Sequence, residues 1–461
     1  MNTVSRKRVL SLCAAIALLA PGMALAQTVK EKELEARIAQ LEKIVAQLAA
    51  QQQQTEQQVV QAQQAAAEAK ASTERVQVAQ KAAANPIQSG PIQSGSIMPA
   101  ANRGTAFTYG GFIKMDAMLT DTDDGKIADG SAGRMFYLPS TIPVGGVAAV
   151  DPYADFGAQF SRFWFSADHV TDGGDKIKAY IEADFFGGGS NNIGNETSTN
   201  THAVTLRQAY VSWNDWLAGQ TWSNFMDVAA LPDAVDFVGV TDGTVFVRQA
   251  QIRYTNGPWS FSLENPQTIV TPYRTPSSRY ASGDNAFPDV TGRWQKKGDW
   301  GHFSIAALLR QYKVPNDYTQ GASVSVSGKF NLGKNDDIRY AVNAGEGIGR
   351  YLAFGLGPDV AIDAAGNLHP IAGTGGFVAW RHAFGPKLRS NLMVSTARFD
   401  NDTDLTGVGI TRSAQSIHAN LIWSPIPKLD VGAEIGWGQR TLESGAEGDL
   451  KRVQTSVKYS F

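Results

Sequence analysis

The chain has 461 residues, of which 43% are hydrophobic and 18% are charged, and its formal net charge is −2. The charged fraction lies below the roughly 25% of an average globular protein, and a mildly acidic balance argues against a nucleic-acid partner, which would require a basic stripe. After residue 26 no window approaches the roughly 20 apolar residues of a membrane helix, so a membrane-spanning form would cross with strands.

The first 26 residues have the pattern of a secretory signal peptide. They combine positively charged residues 6–8, an apolar run at 9–20 and an Ala-Leu-Ala cleavage site at 24–26. Cleavage there changes the formal charge from −2 to −5, because it removes three positive residues and no negative one. It also removes Cys13, the single cysteine of the chain, so we expect neither disulfides nor thiolate chemistry in the mature protein.

Residues 27–82 have the pattern of a coiled coil. Glu, Gln, Ala and Lys dominate this segment, and Gly and Pro are absent from residue 29 onward. A leucine recurs every seven residues with a β-branched residue between, which is a heptad seam that by itself favours two strands. A single solvated helix is the alternative, although it would leave the leucine stripe in water. The seam residues are Leu34, Ile38, Leu41, Val45 and Leu48.

Residues 83–104 are predicted to be a linker rich in Gly, Pro and Ser. The sequence Pro-Ile-Gln-Ser-Gly occurs at 86–90 and again at 91–95. Proline and glycine exclude a helix here, and this composition is typical of a semi-extended spacer.

From residue 105 to the end the dominant period is two. In the closing strand Val453, Val457 and Tyr459 share one face, while Gln454 and Ser456 share the other. About sixteen such segments of roughly ten residues follow one another, which is the pattern of outer-membrane barrels. Residues 105–461 are therefore predicted to form an all-β transmembrane barrel of antiparallel strands, preceded by the α-helical coiled coil. A soluble sandwich can also end on an amphipathic strand, so that strand alone does not decide.

The connections between the predicted strands alternate in length. Short turns on one rim and long loops on the other are typical of an outer-membrane barrel. Tryptophans cluster near the predicted strand ends, as in interfacial girdles. The predicted turns are 171–174, 332–335 and 424–427, and the predicted long loops are 120–157, 187–202, 265–287 and 349–374.

On most predicted strands the charged residues share the polar face. An arginine on the lipid face costs about 2–4 kcal/mol, whereas one facing a wet lumen costs little, so we interpret these residues as pore-lining. Their cations outnumber their anions, which predicts a preference for anions, and the arginine fork suits carboxylates. Unselective wall charge and the wet face of a soluble sandwich are the alternatives. The predicted pore-lining cations are Lys114, Arg162, Lys178, Arg207, Arg253, Arg293, Arg310, Arg339, Arg381 and Arg389.

Arg248 has the opposite, lipid-facing parity of its strand, and we place it at a strand end or in a subunit contact. The segment 223–244, between the fifth and sixth predicted strands, is too long for a turn. We predict that it folds inward as a constriction loop, with an ordinary surface loop as the alternative. Asp227, Asp233 and Asp236 would then face the arginine-bearing walls and partly offset the anion preference.

No catalytic constellation is evident. The six histidines lack metal-ligand spacing, and no nucleophile-elbow, phosphate-loop or dinucleotide motif occurs. No catalytic residue, metal or cofactor is therefore predicted, and His418 is expected to face the lumen beside Asn420. Two rivals of the channel remain: a secreted all-β hydrolase with paired carboxylates, and a structural protein whose coil ties the outer membrane to another envelope layer.

A family resemblance covers nearly the whole mature chain. It is carried by the opening Tyr109-Gly110-Gly111-Phe112-Ile113-Lys114, by residues 218–225 with their Gly-Gln-Thr-Trp run, by Ala230-Leu231-Pro232, by residues 248–254 and by Glu264-Asn265-Pro266. Together with the leader, heptads and linker, these segments resemble the DcaP-like porin family.

The resemblance implies a trimeric channel of sixteen strands in outer-membrane lipid, with a periplasmic coiled-coil extension and a role in the uptake of dicarboxylic acids. A trimer departs from the two-stranded preference of the heptads, and we let the barrel set the oligomer. The predicted function is an outer-membrane porin for passive uptake of small anionic solutes, with a non-selective porin as the alternative.

Overall fold

The computed structural model of the protein describes residues 105–146, 150–187, 200 and 202–461. The predicted signal peptide, coiled coil and linker lie outside these residues. Secondary structure, contacts and burial below refer to the described ranges.

Sixteen strands within the described ranges form one antiparallel sheet, and the sheet closes because the last strand pairs with the first from Phe112–Ser460 to Thr122–Leu450. The prediction of about sixteen antiparallel strands is confirmed. The strands are β1 Thr105–Thr122, β2 Tyr153–Gly157 together with Arg162–Val170, β3 Lys176–Gly187, β4 Ala203–Trp213, β5 Trp216–Trp222, β6 Arg248–Asn256, β7 Trp259–Glu264, β8 Asp289–Gly298, β9 Gly301–Val314, β10 Asp317–Leu332, β11 Asp336–Glu346, β12 Ala372–Gly385, β13 Leu388–Asp400, β14 Thr411–Ile426, β15 Leu429–Leu442 and β16 Glu447–Ser460.

Strand β2 is interrupted, and both of its parts pair with β1. The break at 158–161 turns Phe160 toward the interior, where 2% of the side chain is exposed, and Ser161 accepts a hydrogen bond from the Lys114 backbone at 3.0 Å. The predicted long loop 120–157 includes the first part of this strand, which begins at Tyr153 in the structure. The alternation breaks at the interruption, which is why the first part was assigned to a loop.

The two faces of the barrel differ as the alternation predicts. On β16, Val453, Val457 and Tyr459 are exposed, while Gln454 and Ser456 are buried. The outer face is therefore apolar and the inner face polar, which is the arrangement that lipid outside and water inside require.

The rims differ in loop length, as predicted. One rim carries the turns 171–175, 214–215, 257–258, 299–300, 333–335, 386–387 and 427–428, and the other carries the long connections 123–152, 188–202, 223–247, 265–288 and 347–371. The last predicted turn lies later than expected, because a register irregularity between Trp423 and Ile426 lets β14 continue past Pro425. Exposed aromatic residues border the short-turn rim: Trp213, Trp216, Trp259, Trp300, Trp423 and Tyr459.

The long loops carry the remaining secondary structure. A second, four-stranded sheet joins loop 265–288 to loop 347–371 through the strands Thr268–Thr271, Tyr280–Ser282, Val360–Ile362 and Leu368–Pro370. Short helices occur at Ala132–Arg134, Pro139–Thr141, Val228–Ala230, Pro276–Ser278 and Thr403–Thr406. No helix among the described residues is long and apolar enough to cross a membrane.

Candidate functional site: the barrel interior

The connection between β5 and β6, residues 223–247, runs inside the barrel, and we call it the inner loop. Its backbone is bonded to inward-facing side chains of distant strands. The Val235 amide donates to Glu434 on β15 at 2.7 Å, and the Gly243 amide donates to Ser395 on β13 at 2.7 Å. At Gly243 a Cβ atom would lie 2.1 Å from the Gly376 backbone, so this close approach requires glycine.

Local sequence explains how the inner loop holds its shape. Asp227 caps the short helix Val228–Ala230 by accepting from the Ala229 amide at 3.2 Å. Asp236 accepts from the Val238 and Gly239 amides, both at 3.1 Å. Apolar residues of the loop, Phe225, Met226, Val235, Val238 and Val240, are buried, so the loop is anchored by both packing and hydrogen bonds.

The three predicted loop carboxylates have different surroundings. Asp227 Oδ2 lies 2.8 Å from His302 Nε2 and accepts from Ser327 at 2.9 Å; burial would raise the pKa of Asp227, but these two partners hold it below its usual value. Asp236 accepts from the Tyr137 amide at 2.9 Å, and burial raises its pKa. Asp233 is the one that contacts arginines directly.

A fourth loop carboxylate, Asp242, was missed by the sequence analysis. It accepts from Tyr137 Oη at 2.8 Å and from the Ser416 hydroxyl. Burial raises the pKa of Asp242 to about 6. Nearby, His418 Nδ1 lies 2.9 Å from Glu434 Oε1 and the side chain is buried. His418 thus lies on the inward face beside Asn420, as expected, but it is buried and not in contact with water, because the inner loop covers this part of the wall.

A second inward-folded segment, residues 347–358, was also missed. It pairs with the end of the inner loop through a bridge between Val245 and Leu352, and the rings of Phe246 and Phe354 stack at 4.4 Å. Ala353 and Phe354 both have positive φ, at 52° and 58°. The sequence marks this segment only as a Gly-rich loop, and nothing in its composition indicates which way it folds.

Eight of the ten predicted cations have a carboxylate within 4 Å: Lys114, Arg162, Lys178, Arg207, Arg310, Arg339, Arg381 and Arg389. We call five of these the paired arginines: Arg207, Arg310, Arg339, Arg381 and Arg389. Lys114 lies 2.7 Å from Asp116 and also donates to the Val235 carbonyl at 2.9 Å. Lys178 lies 3.4 Å from Asp168 near the short-turn rim. Arg207 contacts Glu182 at 2.7 Å and Asp184 at 2.6 Å.

Three paired arginines surround the tip of the inner loop. Asp233 Oδ2 lies 2.6 Å from Arg389 Nε and 3.7 Å from Arg381 Nε. Arg339 contacts Asp337 at 2.8 Å and donates to the Leu231 carbonyl at 2.6 Å. The inner loop therefore supplies both a carboxylate and a carbonyl to this side of the wall.

Arg310 has the inward parity of β9, but its side chain is 0% exposed. It contacts Asp359 at 2.8 Å and Asp289 at 3.2 Å, and it donates to the Gly347 carbonyl at 2.7 Å. Parity identified its face correctly, but the loops 265–288 and 347–371 enclose it. Arg310 therefore stabilises the fold and is not exposed to the lumen.

Five interior arginines have no carboxylate within 4 Å among the described residues. Two of them, Arg440 and Arg452, are bound instead by carbonyls of the connection 123–152. We call the other three, Arg248, Arg253 and Arg293, the open arginines. Arg253 donates to Gln251 at 2.7 Å and to the Trp222 carbonyl. Arg293 donates to the Met226 carbonyl at 3.0 Å. All three are partly exposed, so their charge is solvated but not cancelled.

Arg248 is the first residue of β6, in agreement with its predicted place at a strand end. Its guanidinium lies 4.9 Å from the centre of the Trp222 ring. Arg162 is intermediate, because its contacts with Glu182 and Asp184 are both 3.9 Å long. Trp164 stacks on Tyr180 at 6.0 Å on the interior face, and Trp222 packs against Phe246 of the inner loop at 4.8 Å, so these two tryptophans are not girdle residues.

Arg253 and Arg293 flank the short strand β7. Arg253 is the register partner of Ser262, and Arg293 is the register partner of Ser260. The two arginines are therefore on the same face, two strands apart, which corresponds to roughly 10 Å across the sheet.

A closed barrel with an apolar exterior, a charged interior and loops folded into its lumen is an outer-membrane channel. A family model described as DcaP outer membrane protein matches residues 93–461, and the chain belongs to this family. Family and fold thus point to a channel rather than an enzyme, located in the outer membrane.

Among solved structures, the chain is similar to the outer membrane channel DcaP of Acinetobacter baumannii, with a TM-score of 0.65, 23% identity and coverage of 78% of this chain and 98% of that one. A loop-deletion mutant of OmpT from Vibrio cholerae gives a TM-score of 0.48 at 12% identity, covering 78% of this chain and 100% of that one. An anion-selective porin from Comamonas acidovorans gives 0.47 at 11%, covering 77% and 100%. No curated protein matches the sequence.

Proposed function

We propose that this channel prefers anions and admits small carboxylate solutes, including dicarboxylic acids. The observation that carries the proposal is the pair Arg253 and Arg293: both face the interior, both are partly exposed, and neither has a carboxylate within 4 Å among the residues described. A confined lumen with net positive groups concentrates anions and lowers the barrier to their entry.

The hydrogen bonds of these two arginines support the same proposal. Each guanidinium is held by neutral acceptors, namely the Trp222 and Met226 carbonyls and the Gln251 amide. Neutral acceptors orient an arginine without cancelling its charge, and the remaining N–H groups suit a carboxylate bidentately. A solute with two carboxylates can engage both arginines across β7, which is the reason to include dicarboxylic acids.

The constriction role of the inner loop belongs to the same proposal. Its backbone crosses the interior between the open arginines and the wall of β9 to β15, because Met226 contacts Arg293 and Gly243 contacts Ser395. The loop also packs against the β2 side of the barrel, where Phe237 stacks on Phe160 at 4.3 Å, so it narrows the lumen on both sides. Asp233, by contrast, sits among the paired arginines and lowers the positive field on its own side.

A non-selective porin is the second candidate, favoured by the many carboxylates that neutralise the paired arginines. Single-channel recording in planar bilayers separates the two. We expect ion current, a reversal potential in a KCl gradient with the sign of chloride preference, and concentration-dependent block by succinate. Current with a cation-selective potential and no succinate block would refute the proposal.

We also propose that the channel is a homotrimer with its N-terminal coiled coil in the periplasm. The heptad seam supports oligomerisation, and the outer face of β2 to β5 offers a groove of small side chains suited to close subunit packing: Ala167, Ala179, Ala209 and Ala218. Sedimentation of the detergent-solubilised full chain should give three copies, and a monomer would contradict this assignment.

A further inference from the structure

The interior holds one carboxylate whose position resembles that of a bound solute. Asp233 projects from the inner loop, its side chain is 28% exposed, and it contacts Arg389 and Arg381 at 2.6 and 3.7 Å. The two other carboxylates of the cluster, Asp337 and Asp430, belong to the wall strands β11 and β15. Of these three described carboxylates, only Asp233 approaches the arginines from the lumen side.

Charge counting shows that the cluster is not self-neutral. Four cations, Arg339, Arg381, Arg389 and Lys458, share the three carboxylates Asp233, Asp337 and Asp430. With Asp233 in place the cluster has an excess of one positive charge. With its carboxylate displaced, the excess becomes two, which matches a dianion.

The inner loop does not depend on the Asp233 side chain for its position. The Asp233 carbonyl accepts from Asn420 at 3.0 Å, and the backbone on either side is held by Arg339 at Leu231 and by Glu434 at Val235. The carboxylate can therefore leave its arginines while the backbone stays docked.

There is also space beside it. A crevice next to Asp233 is lined by Lys114, Arg389 and Lys458, together with Asp430 and Ser456. The crevice is small, about 30 Å³ in volume, so it has room for the end of one solute carboxylate. Arg389 and Lys458 face it, whereas the Lys114 ammonium is already bound to Asp116 and to the Val235 carbonyl.

We propose that Asp233 is an internal competitor: its carboxylate occupies a second anion subsite on Arg381 and Arg389, and an entering dicarboxylate must displace it. The proposal rests on the carboxylate preference proposed above, and it assigns to Asp233 the role of setting affinity at this subsite. The Asp233 carboxylate is then a reversible occupant of this subsite. When a solute carboxylate replaces it, the number of ion pairs made by Arg381 and Arg389 does not change.

The test uses the full-length channel and succinate block in planar bilayers. Asp233→Asn keeps the side-chain shape and removes the charge, so the competitor is lost while the backbone bonds remain. We expect the dissociation constant for succinate to fall by roughly fivefold, as expected when a partly exposed ion pair no longer competes. Asp233→Glu keeps a carboxylate within reach and should restore the wild-type constant within about twofold.

A matched control separates competition from local charge. Asp337→Asn removes the same charge from the same cluster, but Asp337 is 8% exposed and lies on the wall itself, as the register partner of Arg381. Competition predicts a clearly smaller effect for this variant than for Asp233→Asn. Equal effects of the two variants, or an unchanged or higher constant in Asp233→Asn, would overturn the inference.

The outcome for the wild type distinguishes the two proposals. If succinate does not block the wild-type channel and the reversal potential shows no anion preference, the proposed function fails, and the competitor role fails with it. If the wild type is blocked and Asp233→Asn behaves like the wild type, the proposed function stands and only the competitor role is lost. Equal thermal unfolding of all variants shows that the barrel is intact.

Discussion

The paired and the open arginines share the interior face of one barrel but differ in the chemistry of their acceptors. Arg389 lies 2.6 Å from the Asp233 carboxylate, whereas Arg293 donates to the Met226 carbonyl at 3.0 Å. Both acceptors come from the inner loop. The same loop therefore cancels positive charge on one side of the lumen and only orients it on the other.

This difference shows that strand parity does not determine the function of a wall charge. A carbonyl satisfies a hydrogen bond but leaves the unit charge of the guanidinium available to a solute, while a carboxylate offsets that charge at short range. We therefore propose that a buried arginine closed in by carboxylates, such as Arg310, stabilises the fold, and that one held by neutral groups attracts anions. The predictions below test that division.

The largest effect is expected at the most completely paired arginine. Arg310→Met leaves Asp359 buried without its cation and leaves Asp289 with Arg350 alone, at 3.4 Å, and we expect the unfolding free energy to fall by about 3–5 kcal/mol. Chloride preference should stay at the wild-type value. Denaturant unfolding in detergent measures the first quantity, and the reversal potential measures the second.

The control for this variant is Arg274→Met. Arg274 is also paired, with Asp404 at 3.6 Å, but both side chains are largely exposed, at 58% and 91%. A surface pair contributes about 0–1 kcal/mol, so this variant should unfold like the wild type. If the two variants lost equal stability, burial of the Arg310 cluster would not be the cause.

A smaller effect, on binding rather than stability, is expected at the open arginines. Arg253→Gln and Arg293→Gln each remove a charged donor that no carboxylate neutralises, and we expect each to raise the succinate dissociation constant on the order of 30-fold. Current block as a function of succinate concentration gives the constant. Arg398→Gln is the control, because Arg398 is 66% exposed and paired with Asp400 at 3.8 Å; it should bind succinate like the wild type.

The smallest effect concerns pH and the docking of the inner loop. Burial raises the pKa of Asp242 to about 6, above its unfolded value, so its contribution to stability is fully present below the unfolded pKa and is lost as pH rises through about 6. From this group we expect the unfolding free energy of the wild type to be roughly 2 kcal/mol higher at pH 4 than at pH 8. The comparison is with Asp242→Asn, which should lack that part of the pH dependence; identical pH profiles would contradict the assignment.

The fold followed from the sequence because its signal is local. Alternation on β16 and the contrast between short turns and long connections are properties of neighbouring residues, and they predicted sixteen strands and the position of the inner loop between β5 and β6. The one strand that was cut short, β2, has its alternation interrupted at 158–161. An interruption of this kind removes the period on which the prediction depends.

The division between paired and open arginines could not be predicted, because it depends on partners far away in the chain. Asp233 and Arg389 are 156 residues apart, and Asp359 reaches Arg310 from a different loop. Parity assigns a face to each arginine but says nothing about what lies across the lumen. Arg248 was recognised as an exception to parity, yet its contact with Trp222 is visible only in the folded barrel.

The most direct test compares two double variants that remove the same number of positive charges. Arg253→Gln/Arg293→Gln removes two open arginines, and Arg339→Gln/Arg381→Gln removes two paired ones. In a KCl gradient the first variant should lose the chloride preference of the wild-type reversal potential, while the second should retain most of it. Equal shifts in the two variants, or a larger shift in the second, would contradict the claim that the arginines without carboxylate partners set the selectivity of this channel.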